Sequence, residues 1–172
     1  IDILNSGKQG DVPVIIGANQ DEGTLFIMLA GGMVSTEDAF RKYVQANFGV
    51  YADRILAQYV SDDKLQPKDR QNYLMRDWMF LAAARTFARG WENVQSEAFY
   101  YHFTRTPATP MAKMLGAHHA AEVSYVFNNL VGVKSPPVRD SELAKQMSQY
   151  WVQFAATGNP NGGGLPHWPA YK

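Results

Sequence analysis

Two short β-type runs, far apart in the sequence, set the strongest limit on how this chain can fold. Residues 12–16 are mostly β-branched and end at Gly17, which is typical of a strand buried on both faces. Residues 97–103 are aromatic and predict a second strand. Because two isolated strands make a marginally stable sheet, we expect both to join a sheet supplied by another piece of chain. The sequence is therefore interpreted as part of a larger protein.

Most of the remaining sequence predicts helices. Ser35 with Asp38 three places on is similar to a capping box, and apolar residues at helical spacing follow it. The region 70–93 carries the longest apolar stripe, interpreted as core packing: Tyr73, Leu74, Trp78, Leu81, Ala82, Arg85 and Phe87. Further helices are expected at residues 24–29, around 55–59, at 122–127, and from Asp140 or Ser141 to about 156, with Gly158 as the stop. Loops are expected at 19–23, 104–110 and in the tail 162–172, which Trp168 anchors.

Composition excludes several classes of function. Sixteen Lys and Arg balance sixteen Asp and Glu, and a net charge of zero argues against nucleic-acid binding. The charged fraction of 19% is below the usual quarter, so we expect part of the surface to be covered by other chain. No run approaches the roughly 18 to 20 apolar residues of a membrane span.

The absence of cysteine bears on chemistry and location. It excludes disulfides, a thiolate nucleophile and cysteine-based metal sites. It favours a cytoplasmic location, although residues 1–7 have neither an initiating Met nor a signal-peptide pattern, so secretion of the whole protein stays open. Location is therefore not determined by the sequence.

The histidine pair His118–His119 is the first candidate for chemistry. It follows Gly116 in a predicted turn, where an imidazole can point into a cleft; the alternative is a polar filler. Glu122, three residues after His119, could share a helix face with it as metal ligands do. Because no second acidic or histidine pair is in register, no metal site is expected.

The acidic turn at residues 21–23 is the second candidate. By itself it is equally typical of a solvated turn, but it follows a predicted strand, where α/β proteins place their chemistry. A carboxylate that accepts from one imidazole nitrogen fixes the tautomer, so that the other nitrogen can activate a hydroxyl. In α/β-hydrolases the chain order is Ser, acid, His. None of the eight serines has glycine two residues away on both sides, so we expect the nucleophile outside this chain.

Three segments occur in an order typical of one enzyme family. They are residues 17–26 (GANQDEGTLF), residues 116–127 (GAHHAAEVSYVF), and residues 154–161 (FAATGNPN) with 165–169 (LPHWP). They resemble the acid motif, the histidine motif and the C-terminal signature of the type-B carboxylesterases, which include cholinesterases and bacterial para-nitrobenzyl esterases. The resemblance covers essentially the whole chain. It implies the C-terminal part of an α/β-hydrolase fold, with a few sheet strands and many helices, and the style of the tail suggests a bacterial source.

The resemblance implies roles for particular residues. Glu22 is the expected triad acid and His119 the expected general base and acid. Leu25 and Phe26 fall where the family lines its substrate gorge, and an aliphatic Leu25 offers no cation–π face for a choline ester.

Three neighbours of His119 are less defined. His118 and Glu122 are expected to support the pair rather than react, and Glu122 is as consistent with a structural role as with a functional one. Ala120 replaces the Gly of the cholinesterase branch, which is expected to affect substrate range more than activity.

The function implied is hydrolysis of small carboxylic esters, of short to medium length, by a Ser-His-Glu triad. The N-terminal part of the same esterase would supply the serine and the oxyanion loop, and this chain alone is expected to be inactive. Residues 35–93 are expected to form a helical lid or side subdomain. No metal or organic cofactor is implied. The alternative is a catalytically inactive esterase-like domain used for binding or adhesion, which the upstream sequence would decide.

Overall fold

The two predicted strands pair with each other in parallel. The computed structural model describes residues 1–61, 64–130 and 132–172. In it β1 (Val14–Asn19) runs beside β2 (Ala98–Phe103), with Val14 opposite Ala98 and Asn19 opposite Phe103. The strand expected at 12–16 thus begins after Pro13, which has no N–H to donate, and it extends through part of the expected turn. Its residues 14–17 are only partly buried, so the expectation of a strand buried on both faces is met in this chain only at Ala18 and Asn19.

Helices account for most of the remaining described residues. The α-helices are α1 (Asp2–Asn5), α2 (Glu22–Leu29), α3 (Glu37–Phe48), α4 (Ala52–Tyr59), α5 (Pro67–Arg76), α6 (Ala82–Gly90), α7 (Pro110–Leu115), α8 (Val123–Val126) and α9 (Val138–Thr157). Two 3₁₀ turns lie at Gly49–Tyr51 and Trp91–Asn93, and a π-helical segment spans Asp77–Leu81. Within the described ranges, no helix combines the length and apolar character needed to cross a membrane.

Two predicted helix starts are wrong by a few residues. The side chain of Thr36, not Ser35, accepts the Ala39 N–H and begins α3. Likewise, α9 begins at Val138, so Asp140 lies inside its first turn, where it is buried and forms an ion pair with Arg105. The predicted end of α9 is confirmed, because Gly158 adopts the left-handed conformation at φ 76°.

The helix predicted over 70–93 is not continuous. The π-helical segment separates α5 from α6, and its extra residue per turn shifts the side chains that follow relative to α-helical spacing. Leu74 is buried as expected, but Trp78 is 61% exposed and Phe87 38% exposed, so the core interpretation is wrong for these two rings. The buried positions of α6 are the small residues Ala84, Ala88 and Gly90.

Helix α7 was not predicted from the sequence. Pro110 occupies its first turn, and the Thr109 side chain accepts the Ala112 N–H as an N-terminal cap. The helix ends at Leu115, and Gly116 follows with φ 69°. It therefore delivers the chain to the turn that holds His118 and His119.

Three apolar clusters hold these elements together. Helices α3 to α5 share a cluster of Val34, Phe40, Val44, Ala52, Leu56 and Leu74. The end of β2 packs with α8 and α9 through Phe103, Ala117, Ala121, Tyr125 and Ala144, and α6 packs on the strands through Ala88, Trp91 and Ala98. In the tail, Trp168 packs edge-on against Phe99 and donates its indole N–H to the Tyr100 carbonyl at 3.1 Å, which confirms it as the anchor.

Candidate active site

The carboxyl ends of the two parallel strands bring Glu22 and His119 together. Glu22 opens α2 just after β1, and His119 lies in the turn between α7 and α8 that follows β2. A parallel bridge between Asp21 and His118 continues the strand pairing into this turn. The His119 Nδ1 atom lies 2.7 Å from Glu22 Oε2, although the two residues are 97 positions apart.

The Glu22 carboxylate is held at both oxygens. Its Oε1 accepts the backbone N–H of Asn19 at 2.8 Å, and its Oε2 faces the imidazole. The residue is 5% exposed, whereas the His119 side chain is 42% exposed. Because an ionised carboxylate only accepts, the shared proton is assigned to His119 Nδ1, which leaves Nε2 as the nitrogen with a free lone pair. The expected acid and histidine thus form an oriented pair with one accessible nitrogen.

The turn that carries His119 is fastened by Asp21. Its Oδ2 accepts the Ala117 N–H at 2.8 Å, and its Oδ1 accepts from the Asn72 side chain at 2.9 Å. Asn72, on α5, also accepts the Gly23 N–H at 3.0 Å, so it contacts the residue on each side of Glu22. The predicted polar turn is therefore a buried junction, in which Glu22 and Gly23 already belong to a helix.

A second set of hydrogen bonds joins β1 and β2 to the histidine turn. The Asn19 amide donates to the His118 carbonyl at 2.8 Å and to the Glu122 carboxylate. The Tyr101 hydroxyl lies 3.5 Å from the other Glu122 oxygen. Burial raises the pKa of Tyr101, and the negative charges of Glu122 and Glu22 raise it further, so its phenol stays protonated as a donor. The Glu122 carboxylate thus contacts Asn19 on β1 and Tyr101 on β2.

The other histidine of the pair is oriented differently. His118 Nδ1 lies 2.8 Å from the carbonyl oxygen of His119. The ring of His118 therefore contacts the backbone of the turn, whereas the ring of His119 contacts the Glu22 carboxylate. Ala120, which follows, is exposed and has a positive φ of 65°, a backbone conformation that glycine adopts more readily than alanine.

Two phenylalanines flank the histidine ring. The rings of Phe26 and Phe80 stack on each other at 5.7 Å, and each centroid lies 5.1 Å from that of His119. Leu25 is partly buried on α2, and its side chain projects about 100° around the helix from that of Phe26. Phe80 belongs to the π-helical segment and lies beside the pair, although it was not among the residues of the predicted apolar stripe.

A groove elsewhere on the molecule does not contain the pair. It has a volume of about 1050 Å³ and lies along the outer edge of β2. Its lining includes His102, Arg105, Tyr150, Trp151 and Trp168. Partial desolvation lowers the pKa of His102, with the positive charge of Arg76 as a smaller cause.

The metal-ligand alternative has little support in the contacts. The Glu122 carboxylate contacts the side chains of Asn19 and Tyr101, and the His119 imidazole contacts the Glu22 carboxylate. In the part of the chain that the structure describes, no three His, Cys, Asp or Glu side chains gather as metal ligands would.

Comparison with known proteins assigns the chain to a family. The family model described as "Carboxylesterase family" matches residues 1–172. The chain belongs to the carboxylesterase family. Membership gives it the α/β-hydrolase fold, and its two parallel strands with many helices form part of that architecture. The family predicted from the three sequence motifs is confirmed.

Curated relatives in the carboxylesterase family are similar along nearly the whole chain. Liver carboxylesterase of Sus scrofa is 30% identical over 99% of this chain and 33% of its own length. Carboxylesterase 1D of Rattus norvegicus is 29% identical over 93% of the chain and 28% of its own length, and cholinesterase of Mus musculus is 26% identical over 98% and 31%. The chain thus spans about a third of the length of these relatives.

Several residues around the pair were missed in the sequence. Asn19 contacts the acid, Tyr101 contacts Glu122 at the end of the histidine turn, and Phe80 contacts the ring of His119. Asn72 contacts Asp21 and Gly23, the two neighbours of the acid. Asn72 ends a run of polar residues at 68–72, and only the structure shows that Arg70, Gln71 and Asn72 in this run are buried. The others carry ordinary residue types for a strand or a helix, and only the fold brings them to the site.

Proposed function

We propose that the complete protein carrying this chain hydrolyses small carboxylic esters, and that this chain supplies the acid and histidine of a Ser-His-Glu triad. The observation that carries the proposal is the 2.7 Å contact between His119 Nδ1 and the buried Glu22 carboxylate. Such a contact is what the acid–histidine half of a triad requires, with Nε2 left for the nucleophile. Membership of the carboxylesterase family supports ester hydrolysis as the chemistry.

In the proposed reaction the serine comes from the N-terminal part of the same protein, outside this chain. His119 Nε2 takes the hydroxyl proton as the serine oxygen attacks the ester carbonyl. The imidazolium that forms is stabilised by Glu22, and it gives its proton to the leaving alkoxide. Water then attacks the acyl-enzyme as His119 Nε2 takes a proton from it. That proton passes to the serine oxygen as the carboxylic acid leaves. Without the serine part, the chain alone is expected to be inactive.

The substrate wall in this proposal is apolar. Phe26, with Leu25 beside it on α2, faces the ester, and Phe80 completes the aromatic surface beside His119. Esters of short to medium length are the proposed substrates. A choline ester is not expected, because Leu25 offers no π face to a quaternary ammonium group.

Two further parts of the proposal concern organisation and source. Residues 35–93 are proposed as a helical lid or side subdomain; helices α3 to α5 share an apolar cluster of their own, while α6 packs on the strands. A bacterial source stays a prediction, and the relatives named above come from pig, rat and mouse.

The test uses the complete protein, a fluorophosphonate probe and a nitrophenyl ester. We expect covalent labelling of one serine and turnover of the ester. His119→Ala should reduce turnover by about 10⁴-fold or more, since triad members act as a unit, whereas His118→Ala should keep it within about tenfold of the parent. The reverse pattern would assign the base to His118.

The same experiment separates the catalytically inactive alternative. A complete protein that neither labels nor turns over ester, and in which His119→Ala changes nothing, would contradict the proposed hydrolysis. It would favour a binding or adhesion domain that keeps the esterase fold.

A further inference from the structure

The side chain of Asn19 joins the two halves of the site. It is fully buried, at 0% exposure, and its Nδ2 lies 2.8 Å from the His118 carbonyl oxygen. The same nitrogen donates to the Glu122 carboxylate. Both neighbours are pure acceptors, so the amide has one favourable orientation, with its nitrogen toward the histidine turn.

These contacts fix the turn at both ends. The His118 carbonyl lies in the peptide that leads directly into His119, and Glu122 is the residue directly before α8. Asn19 itself is the last residue of β1, and its backbone N–H holds Glu22 Oε1. One residue therefore touches the acid through its backbone and the histidine turn through its side chain.

We propose that Asn19 is a positioning residue for the reaction, which sets the distance and angle between His119 and Glu22 by holding the turn 118–122 against the end of β1. This inference rests on the proposed ester hydrolysis. His119 itself is 42% exposed on its side chain, so its ring depends on Glu22, the flanking phenylalanines and the fastened turn for its place. A displacement of about 1 Å in such a pair costs on the order of 10²-fold in rate.

The test is an isosteric substitution in the complete protein. Asn19→Asp keeps the shape but replaces both donated hydrogen bonds by repulsion with the His118 carbonyl and Glu122. We expect kcat for a nitrophenyl ester to fall by about 10- to 100-fold, with KM within about twofold of the parent. The matched control is Asn47→Asp on α3, an exposed asparagine that donates within its own helix; its kcat should not change.

A second variant tests the partner. In the Asn19→Asp background, Glu122→Gln removes one carboxylate and offers an amide donor to Asp at position 19. We expect the double variant to recover kcat by about threefold or more over Asn19→Asp. A role confined to packing would give no such recovery, because the substitution at Glu122 fills no volume at position 19.

Labelling with the fluorophosphonate supplies the normalisation. Its end point counts competent serines and so corrects for misfolded protein, while its rate reports how well the histidine activates the serine. If Asn19→Asp does not fold, Asn19→Ala takes the same test, since it removes the amide without adding charge. An active parent with Asn19→Asp equal to Asn47→Asp in kcat, or a double variant without recovery, overturns the positioning role alone. An inactive, unlabelled parent overturns the hydrolysis proposal itself.

Discussion

The Asp21 carboxylate accepts the backbone N–H of Ala117 at 2.8 Å, across the gap between the acid turn and the histidine turn. The contact is reinforced by the reverse bond, in which the Asp21 N–H donates to the Ala117 carbonyl at 3.0 Å. The remaining carboxylate oxygen accepts from Asn72 on α5. The residue beside the proposed catalytic acid thus ties together β1, α5 and the turn that holds His119.

Removal of this carboxylate should destabilise the protein. Asp21→Ala leaves the Ala117 N–H and the Asn72 amide without their acceptor, which costs about 1–3 kcal/mol of unfolding free energy. Urea denaturation of the complete protein measures the change. Asp38→Ala is the control, because Asp38 is 75% exposed in a helix-surface ion pair with Lys42 and its loss should change the unfolding free energy by less than about 1 kcal/mol. Equal effects of the two substitutions would contradict the role of Asp21.

A side chain at Gly116 should not be tolerated. The residue has φ 69°, and a Cβ built on it would lie 2.1 Å from Asp21 Oδ2. Gly163 has a similar φ of 59° with nothing within 4 Å of its built Cβ. Gly163→Ala should therefore cost about 1 kcal/mol from backbone strain alone. Gly116→Ala should cost at least about 2 kcal/mol more and reduce ester turnover. Thermal melting of both variants gives the comparison, and similar melting shifts would exclude the clash.

Ester turnover should depend on the side chain of Phe80 and not on that of Trp78. Both residues lie in the π-helical segment, but Phe80 flanks the His119 ring at 5.1 Å, whereas Trp78 is 61% exposed. Phe80→Ala should lower kcat/KM for a nitrophenyl ester by about tenfold, equivalent to about 1.4 kcal/mol of lost contact with the transition state. Trp78→Ala should keep it within about twofold. A larger effect at Trp78 would place the substrate on the other face of the segment.

The buried phenol of Tyr125 predicts a loss of stability in alkali. Burial raises the pKa of Tyr125 from 10.0 to about 12, with the negative charge of Asp140 as a further cause. Between these values the unfolded chain loses the proton first, so the unfolding free energy falls as the pH rises from about 10 toward 12. The unfolding free energy of Tyr125→Phe, measured by urea denaturation, should fall less between pH 9 and pH 11 than that of the parent protein. Tyr51→Phe, at a position 63% exposed, should behave like the parent; equal slopes in all three proteins would contradict the assignment.

Local patterns were sufficient for much of the fold. The β-type composition of residues 97–103 predicted β2 to within one residue, and Gly158 marked the end of α9 because few other residues accept its backbone conformation. Helix starts were less accurate, since Thr36 and Ser35 are both good caps and only the backbone geometry selects between them. The π-helical segment had no sequence signal, and Trp78 within it and Phe87 after it lie outside the expected core.

The sequence by itself determined the family and the two residues of the acid–histidine pair, because motif order and residue type are properties of the chain alone. Tertiary structure decided what surrounds them. Parallel pairing of β1 with β2 places the carboxyl ends of both strands side by side, so Asn19 and Asp21 reach a turn nearly a hundred positions away. Hydrogen bonds at such separations depend on the register of two strands and on the packing of α5. These are set by the whole fold and leave no periodicity in the local sequence.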